Sequence, residues 1–245
     1  NLEIEQLAHI SHQEWSNLKE LCSTLGNDKR EPNSDELQLL RKESTSVDIA
    51  LFGRMLASSP AFSIEAACQV SHPISVSANT VEDDFFSAVD DLNKGADESG
   101  AGHIGEQGFG SAIYYTYVCL SRDLLLESLG GDEVLTQKAI SALTEAAVKV
   151  SPSGKQNSFA TRAYADYVLA EVGTGQPRSL VVAFYKPVSG QNQLETAIQR
   201  LRDQYKNLDK VYGDSIDSRM ELCVPEGLGS FTELQAFVSE PYTKE

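Results

Sequence analysis

Between Val47 and Leu120, two apolar runs bracket a stretch of very different chemistry. The first run, Val47-Asp48-Ile49-Ala50-Leu51-Phe52, ends in Gly53-Arg54-Met55. The second, Phe109-Gly110-Ser111-Ala112-Ile113-Tyr114-Tyr115, continues to Leu120. Residues 72–107 between them carry few aliphatics, many acids and repeated glycines. Burial of apolar surface is what offsets the conformational entropy lost on folding. A segment this poor in apolar side chains must leave the core as an excursion. Any fold for this chain therefore needs two core segments joined by an acidic insertion.

Periodicity supplies the elements around that frame. Leu2, Ile4, Leu7, Ala8, Trp15, Leu18, Leu21, Cys22 and Leu25 recur at helical spacing, and Gly26 is the expected stop. A polar loop follows to Asp35, then a short helix to Lys42 with Ser34 as its cap. Val47 to Arg54 and Phe109 to Leu120 read as strands, and Ile64 to Val70 as a short helix or strand. Leu135 to Val150 and Leu194 to Val211 read as amphipathic helices, the second ended by Gly213. Phe159 to Val172 and Ser179 to Tyr185 read as strands of a hairpin turning at residues 173–177, and Leu234 to Val238 as a short helix or strand. A strand-helix-strand-strand-helix order is most of a ferredoxin-like, RRM-type unit. The expected class is α+β, without internal repeats.

Charge bears on function. With 36 acidic and 20 basic residues the formal net charge is −16. That argues against a nucleic-acid binder, because phosphate contacts need Lys and Arg and a net negative field repels the polyanion. Salt shortens that field to about 8–10 Å, and acids concentrated in residues 82–98 leave room for a basic face elsewhere. The apolar runs fall well short of the ~20 residues of a membrane span. The expected location is the cytoplasm, with no membrane partner. Cys22, Cys68, Cys119 and Cys223 are scattered, with no Cys-x-x-Cys pair, which fits a reducing compartment and speaks against a zinc site.

Other constellations have a functional and a plain reading. Gly100-Ala101-Gly102-His103-Ile104-Gly105 matches the dinucleotide fingerprint formally, but an acidic segment precedes it and a strand follows, so no cofactor is expected. Asp83, Asp84, Asp90 and Asp91 have the oxygen chemistry of a Mg²⁺-dependent nuclease, or form a solvated acidic face. His9 and His12 would share a helix face, without an acid or cysteine partner in an evident motif. Phe85-Phe86 either anchor the excursion to the core or offer an aromatic face to a base, worth roughly 1–3 kcal/mol. In Gly53-Arg54-Met55, glycine permits close backbone approach, arginine can fork onto a phosphate, and methionine is a flexible apolar wedge.

Taken together, the order of these blocks resembles the CasC family, the backbone subunit of the type I-E CRISPR Cascade complex. Val47–Met55 resembles a palm strand with its Gly-Arg-Met end. Ala67 to Leu92, with Phe85-Phe86-Ser87-Ala88-Val89-Asp90-Asp91-Leu92, resembles the thumb. His103 to Tyr115 resembles the return strand, and Ser151-Pro152-Ser153-Gly154-Lys155-Gln156-Asn157 a loop before the next strand. The resemblance implies a partial RRM-like palm (47–66 and 108–245), a helical finger remnant (1–46) and an inserted acidic thumb (67–107). It implies a non-catalytic subunit that polymerises along a guide RNA. Partners would be that RNA, copies of itself, other Cascade subunits, and target DNA through the guide. Met55 and Phe86 would flank a flipped base. Arg54, Phe85, Ser87, His103, Lys155 and Gln156 would be further RNA or neighbour contacts. The family's first palm strand and basic helix start have no counterpart here, so the chain is expected to begin inside the finger, leaving a sheet edge unpaired. A metal-dependent nuclease and an acidic protein-interaction module are the alternatives.

Overall fold

The computed structural model describes residues 7–36, 46–57, 59–88, 103–213 and 216–240. In chain order the elements are α1 (His12–Asp28), α2 (Val47–Phe52), β1 (Cys68–Val70), β2 (Ile74–Ser75), β3 (Glu82–Ala88), β4 (His103–Phe109), β5 (Tyr114–Tyr115), β6 (Val118–Leu120), α3 (Arg122–Ser128), α4 (Glu133–Lys149), α5 (Gln156–Phe159), β7 (Tyr167–Val172), α6 (Gln193–Tyr212), β8 (Ser218–Cys223) and α7 (Phe231–Ser239). Two 3₁₀ turns, Pro60–Phe62 and Val181–Phe184, complete the set. The class is α+β. Among the described residues the strands pair as four two-stranded antiparallel ladders, β1 with β6, β2 with β5, β3 with β4 and β7 with β8.

The chain divides into two compact units. One comprises Asn1–Val70, Val118–Pro177 and Ser215–Glu245, the other Ser71–Tyr117 and Arg178–Asp214. Residues 178–214, assigned to the palm from sequence, thus belong with the excursion. In the first unit Ala50, Leu51, Ala67, Cys68, Leu125, Leu129, Ala139 and Ile140 form the buried centre, with Leu120, Leu124 and Val238 packed against it. Helix α7 buries Leu234 and packs on α4, β7 and β8. In the second unit α6 buries Ala197, Ile198, Leu201 and Tyr205, a 3.6-residue stripe that meets the 3₁₀ turn. There Tyr115 stacks tilted against Phe184 at 5.6 Å, and its hydroxyl accepts from the Leu180 N–H.

Helices α4 and α6 lie where the periodicity puts them, and Gly213 closes α6 at φ 84°. Other expectations are corrected. Helix α1 begins only at His12, because Ser11 caps it with a capping box to Glu14, and it runs past Gly26 to a left-handed Lys29. His9 therefore lies outside the helix and does not share a face with His12. Instead its Nε2 sits 2.5 Å from Asp48 Oδ2. Val47–Phe52 is helical, not a strand: Ala50 and Gly53 donate to Ser46 and Ile49, four residues back. Its unbroken apolar run reflects burial of Ile49, Ala50 and Leu51 together, a pattern that period counting cannot separate from a buried strand. Within residues 179–185, Val181–Phe184 form the 3₁₀ turn instead of a strand, with Leu180 and Phe184 buried while Val182 and Tyr185 face out. The partner of β7 is consequently β8, in the register Tyr167↔Cys223 to Val172↔Ser218. The Phe109–Leu120 run splits between β4, β5 and β6, each with its own partner. The short helix expected to Lys42 runs largely outside the described residues.

Candidate nucleic-acid interface

The acidic excursion is a β-ribbon. Strands β3 and β4 pair over seven residues, from Glu82↔Phe109 to Ala88↔His103. Side chains alternate faces along a strand, so adjacent Phe85 and Phe86 point opposite ways. Phe86 shares its face with Glu82, Asp84, Gly105, Gln107 and Phe109; Phe85 shares the other with Asp83, Ser87 and Glu106. Phe85 is 63% and Phe86 42% exposed, so neither anchors the ribbon in a core. The Phe86 ring lies directly over its cross-strand partner: a β-carbon at Gly105 would stand 2.7 Å from Phe86 Cζ. Glycine there leaves room for the tip of the ring, which a β-carbon would crowd. Phe109, also 42% exposed, is a second aromatic on that face, which only the hairpin register reveals. His103 opens β4 at the far end of the ladder.

The same alternation separates Asp83 from Asp84, which face opposite sides of β3. Asp90, Asp91 and the Gly100–Gly102 match lie outside the described residues. Among the described residues no three His, Cys, Asp or Glu side chains are grouped to hold a metal.

Arg54 requires a correction. Its side chain is 1% exposed and paired with Glu14, itself 5% exposed. Nη1 donates to both Glu14 oxygens at 2.9 Å and to His9 O at 3.3 Å, while Nε donates to Phe62 O at 3.2 Å. A guanidinium so engaged is an internal strut between the start of α1 and the end of α2, not a phosphate ligand. The signal for this partner is the capping box, which places Glu14 at the helix start. Gly53, at φ 76° and ψ 172°, brings the backbone onto the Arg54–Ile64 bridge; a β-carbon there would stand 2.9 Å from Ile64 O. Met55, the next residue, is 76% exposed.

Lys155 and Gln156 lie in a third place, a loop of the first unit. Gln156 Nε2 donates to Pro152 O, Thr161 O and Thr161 Oγ1 at 2.5, 2.9 and 3.1 Å, so its amide holds the loop together. The structure thus gathers Phe85, Phe86, Ser87 and His103 on one ribbon, and leaves Met55 and the 155–156 loop on separate segments of the other unit.

A family model described as CT1975-like protein matches residues 1–236. A chain of a "CRISPR RNA-guided surveillance complex, pre-nicking" is similar at a TM-score of 0.73 and 27% identity, over 91% of this chain and 65% of that one. A chain of a "CRISPR RNA-guided surveillance complex" is similar at a TM-score of 0.65 and 28% identity, over 94% of this chain and 86% of that one. No curated protein matches the chain.

Proposed function

The chain belongs to the CT1975-like protein family, and from that membership we propose that it is a non-catalytic, guide-RNA-binding subunit of a CRISPR surveillance complex. The observation that carries this reading is fold likeness to subunits of RNA-guided complexes across nine-tenths of the chain. In its finer form the reading is a type I-E backbone: copies of the chain line up along one guide RNA in the cytoplasm, beside other Cascade subunits. Sequence readout belongs to pairing between guide and target DNA, while the protein holds the strand's backbone and shape.

The ribbon fits the task of spacing bases. Its acids repel phosphate, so its contribution to a polyanion is stacking, which needs an aromatic face and no charge. Phe86, partly exposed with the tip of its ring over Gly105, is the aromatic side chain proposed for it. Met55, an exposed and pliable side chain, is the other wall of the proposed base pocket, supplied by a neighbouring copy.

The test is co-expression of the chain with guide RNA and partner subunits, followed by size exclusion with absorbance at 260 and 280 nm. The expected result is a large particle rich in RNA. Elution of the chain as a small, RNA-free species beside an assembled remainder sinks the reading.

A further inference from the structure

The ribbon does not anchor itself. Its side chains 82–87 and 105–109 include no buried residue, and a two-stranded hairpin alone in water is marginally stable at best. What holds and aims it is its root, within the second unit. There the two legs pair as β2 and β5, in the register Ile74↔Tyr115 and Ser75↔Tyr114, and the Val76 N–H donates to Ile113 O at 3.0 Å. Each leg is then fastened to the same distant segment, residues 179–188. The outgoing leg is fastened through backbone. The Val188 N–H donates to Val76 O at 2.8 Å, Ser77 bridges Val188 in parallel, and Val76 and Val188 are both buried. The returning leg is fastened through one side chain. The Tyr115 hydroxyl accepts from the Leu180 N–H at 3.0 Å and lies 3.2 Å from Ser179 Oγ, while its ring meets Phe184 at 5.6 Å. Phe184 belongs to the 3₁₀ turn on which α6 packs.

We propose that the Tyr115 hydroxyl is a positioning contact: it sets the pitch of the ribbon, and thereby where Phe86 meets a bound strand. The proposal rests on the RNA-binding reading and adds to it a residue that acts only through Phe86. Two attachments fix an angle where one leaves a pivot. The backbone bond at Val76 alone would let the ribbon swing about its outgoing leg. Gly105, the cross-strand partner of Phe86, lies ten residues before Tyr115, a reach of up to about 33 Å at roughly 3.3 Å per residue. A swing of about 10° at the root then carries the ring about 5 Å. That exceeds the roughly 3.5–4 Å separation of carbons in contact, so the stack would be lost.

The experiment is a double-mutant cycle in RNA affinity, read by fluorescence anisotropy with labelled single-stranded RNA at one salt concentration. Tyr115→Phe removes the hydroxyl and keeps the ring on Phe184. It is compared with the parent, with Phe86→Ala and with the double variant, each well below its melting temperature. Tyr115→Phe should weaken binding about fivefold in the parent and less than about twofold in the Phe86→Ala background, because a contact that aims the ring has nothing to aim once the ring is gone. Ser179→Ala, which leaves the Leu180 bond in place, should give a smaller loss with the same dependence on Phe86. Should Tyr115→Phe fail to fold, the Ser179→Ala cycle decides by the same rule. An equal loss in both backgrounds makes the hydroxyl a merely structural contact and overturns the proposal, as does no loss in the parent background. A Phe86→Ala protein that binds RNA like the parent also overturns it and leaves the proposed function standing. A parent that binds no RNA overturns both.

Discussion

Arg54 and Glu14 face each other inside the protein, the guanidinium Nη1 2.9 Å from both carboxylate oxygens. Taking two charges out of water is costly, and only their mutual neutralisation makes the arrangement tolerable. Glu14→Gln should therefore destabilise the fold by about 3–5 kcal/mol, because it leaves a buried cation without its counter-charge. Replacing both by methionine should recover most of that loss. Thermal melts of the two variants beside the parent decide it, and a Glu14→Gln protein that melts with the parent would refute the strut.

The ribbon makes a different demand. Phe86→Ala should leave stability within about 0.5 kcal/mol, since the ring is partly solvated, yet weaken RNA loading by roughly 1–3 kcal/mol for each base it stacks on. Phe85→Ala, on the opposite face, should weaken loading less. Gly105→Ala should mimic Phe86→Ala in loading, because its methyl displaces the ring. Equal loading by all three variants in the co-expression assay would remove the Phe86 face from the site.

Gly53 combines φ 76° with ψ 172°, a region that essentially only glycine occupies. Gly53→Ala should cost about 2 kcal/mol or more, from strain and from crowding Ile64 O. Urea denaturation is the measurement; a midpoint equal to the parent's would contradict the geometry.

Glu36 is held in a fork. Arg30 donates to its carboxylate at 2.8 and 2.6 Å, and the Asn33 N–H adds a bond at 2.9 Å. The Arg30 hydrogen bonds foremost, then that of Asn33, pull its pKa from 4.5 to about 2. A folded value below the unfolded one means that the clasp's contribution is fully present above 4.5 and is lost as pH falls through about 2. Carbon-detected NMR titration should find the midpoint there, and Arg30→Gln should return it toward 4.5. At this exposed site added salt should weaken the effect. A parent midpoint already near 4.5 would dismiss the fork.

What the sequence determined by itself were the features set by local repetition. The apolar stripe of α6 needs no partner to be read, and Gly213 ends that helix for a reason contained in its own backbone. The acidic excursion was legible only in part: Phe85 and Phe86 of its ribbon are exposed, whereas Val76 in the same stretch is buried. The α+β class followed from the same patterns. Where apolar residues were continuous, pattern lost its meaning. Val47–Phe52 has the composition of a strand and the backbone of a helix, because burial of Ile49, Ala50 and Leu51 together removes the alternation that would tell the two apart; Val181–Phe184, equally strand-like in composition, turns as a 3₁₀ helix with Val181 and Val182 exposed. Only the tertiary structure decided which side chains of the candidate site reach solvent. Arg54 and Met55 are adjacent in sequence, yet one is sealed against Glu14 and the other is 76% exposed. The partner that settles this lies 40 residues away, and burial is a property of where distant segments meet.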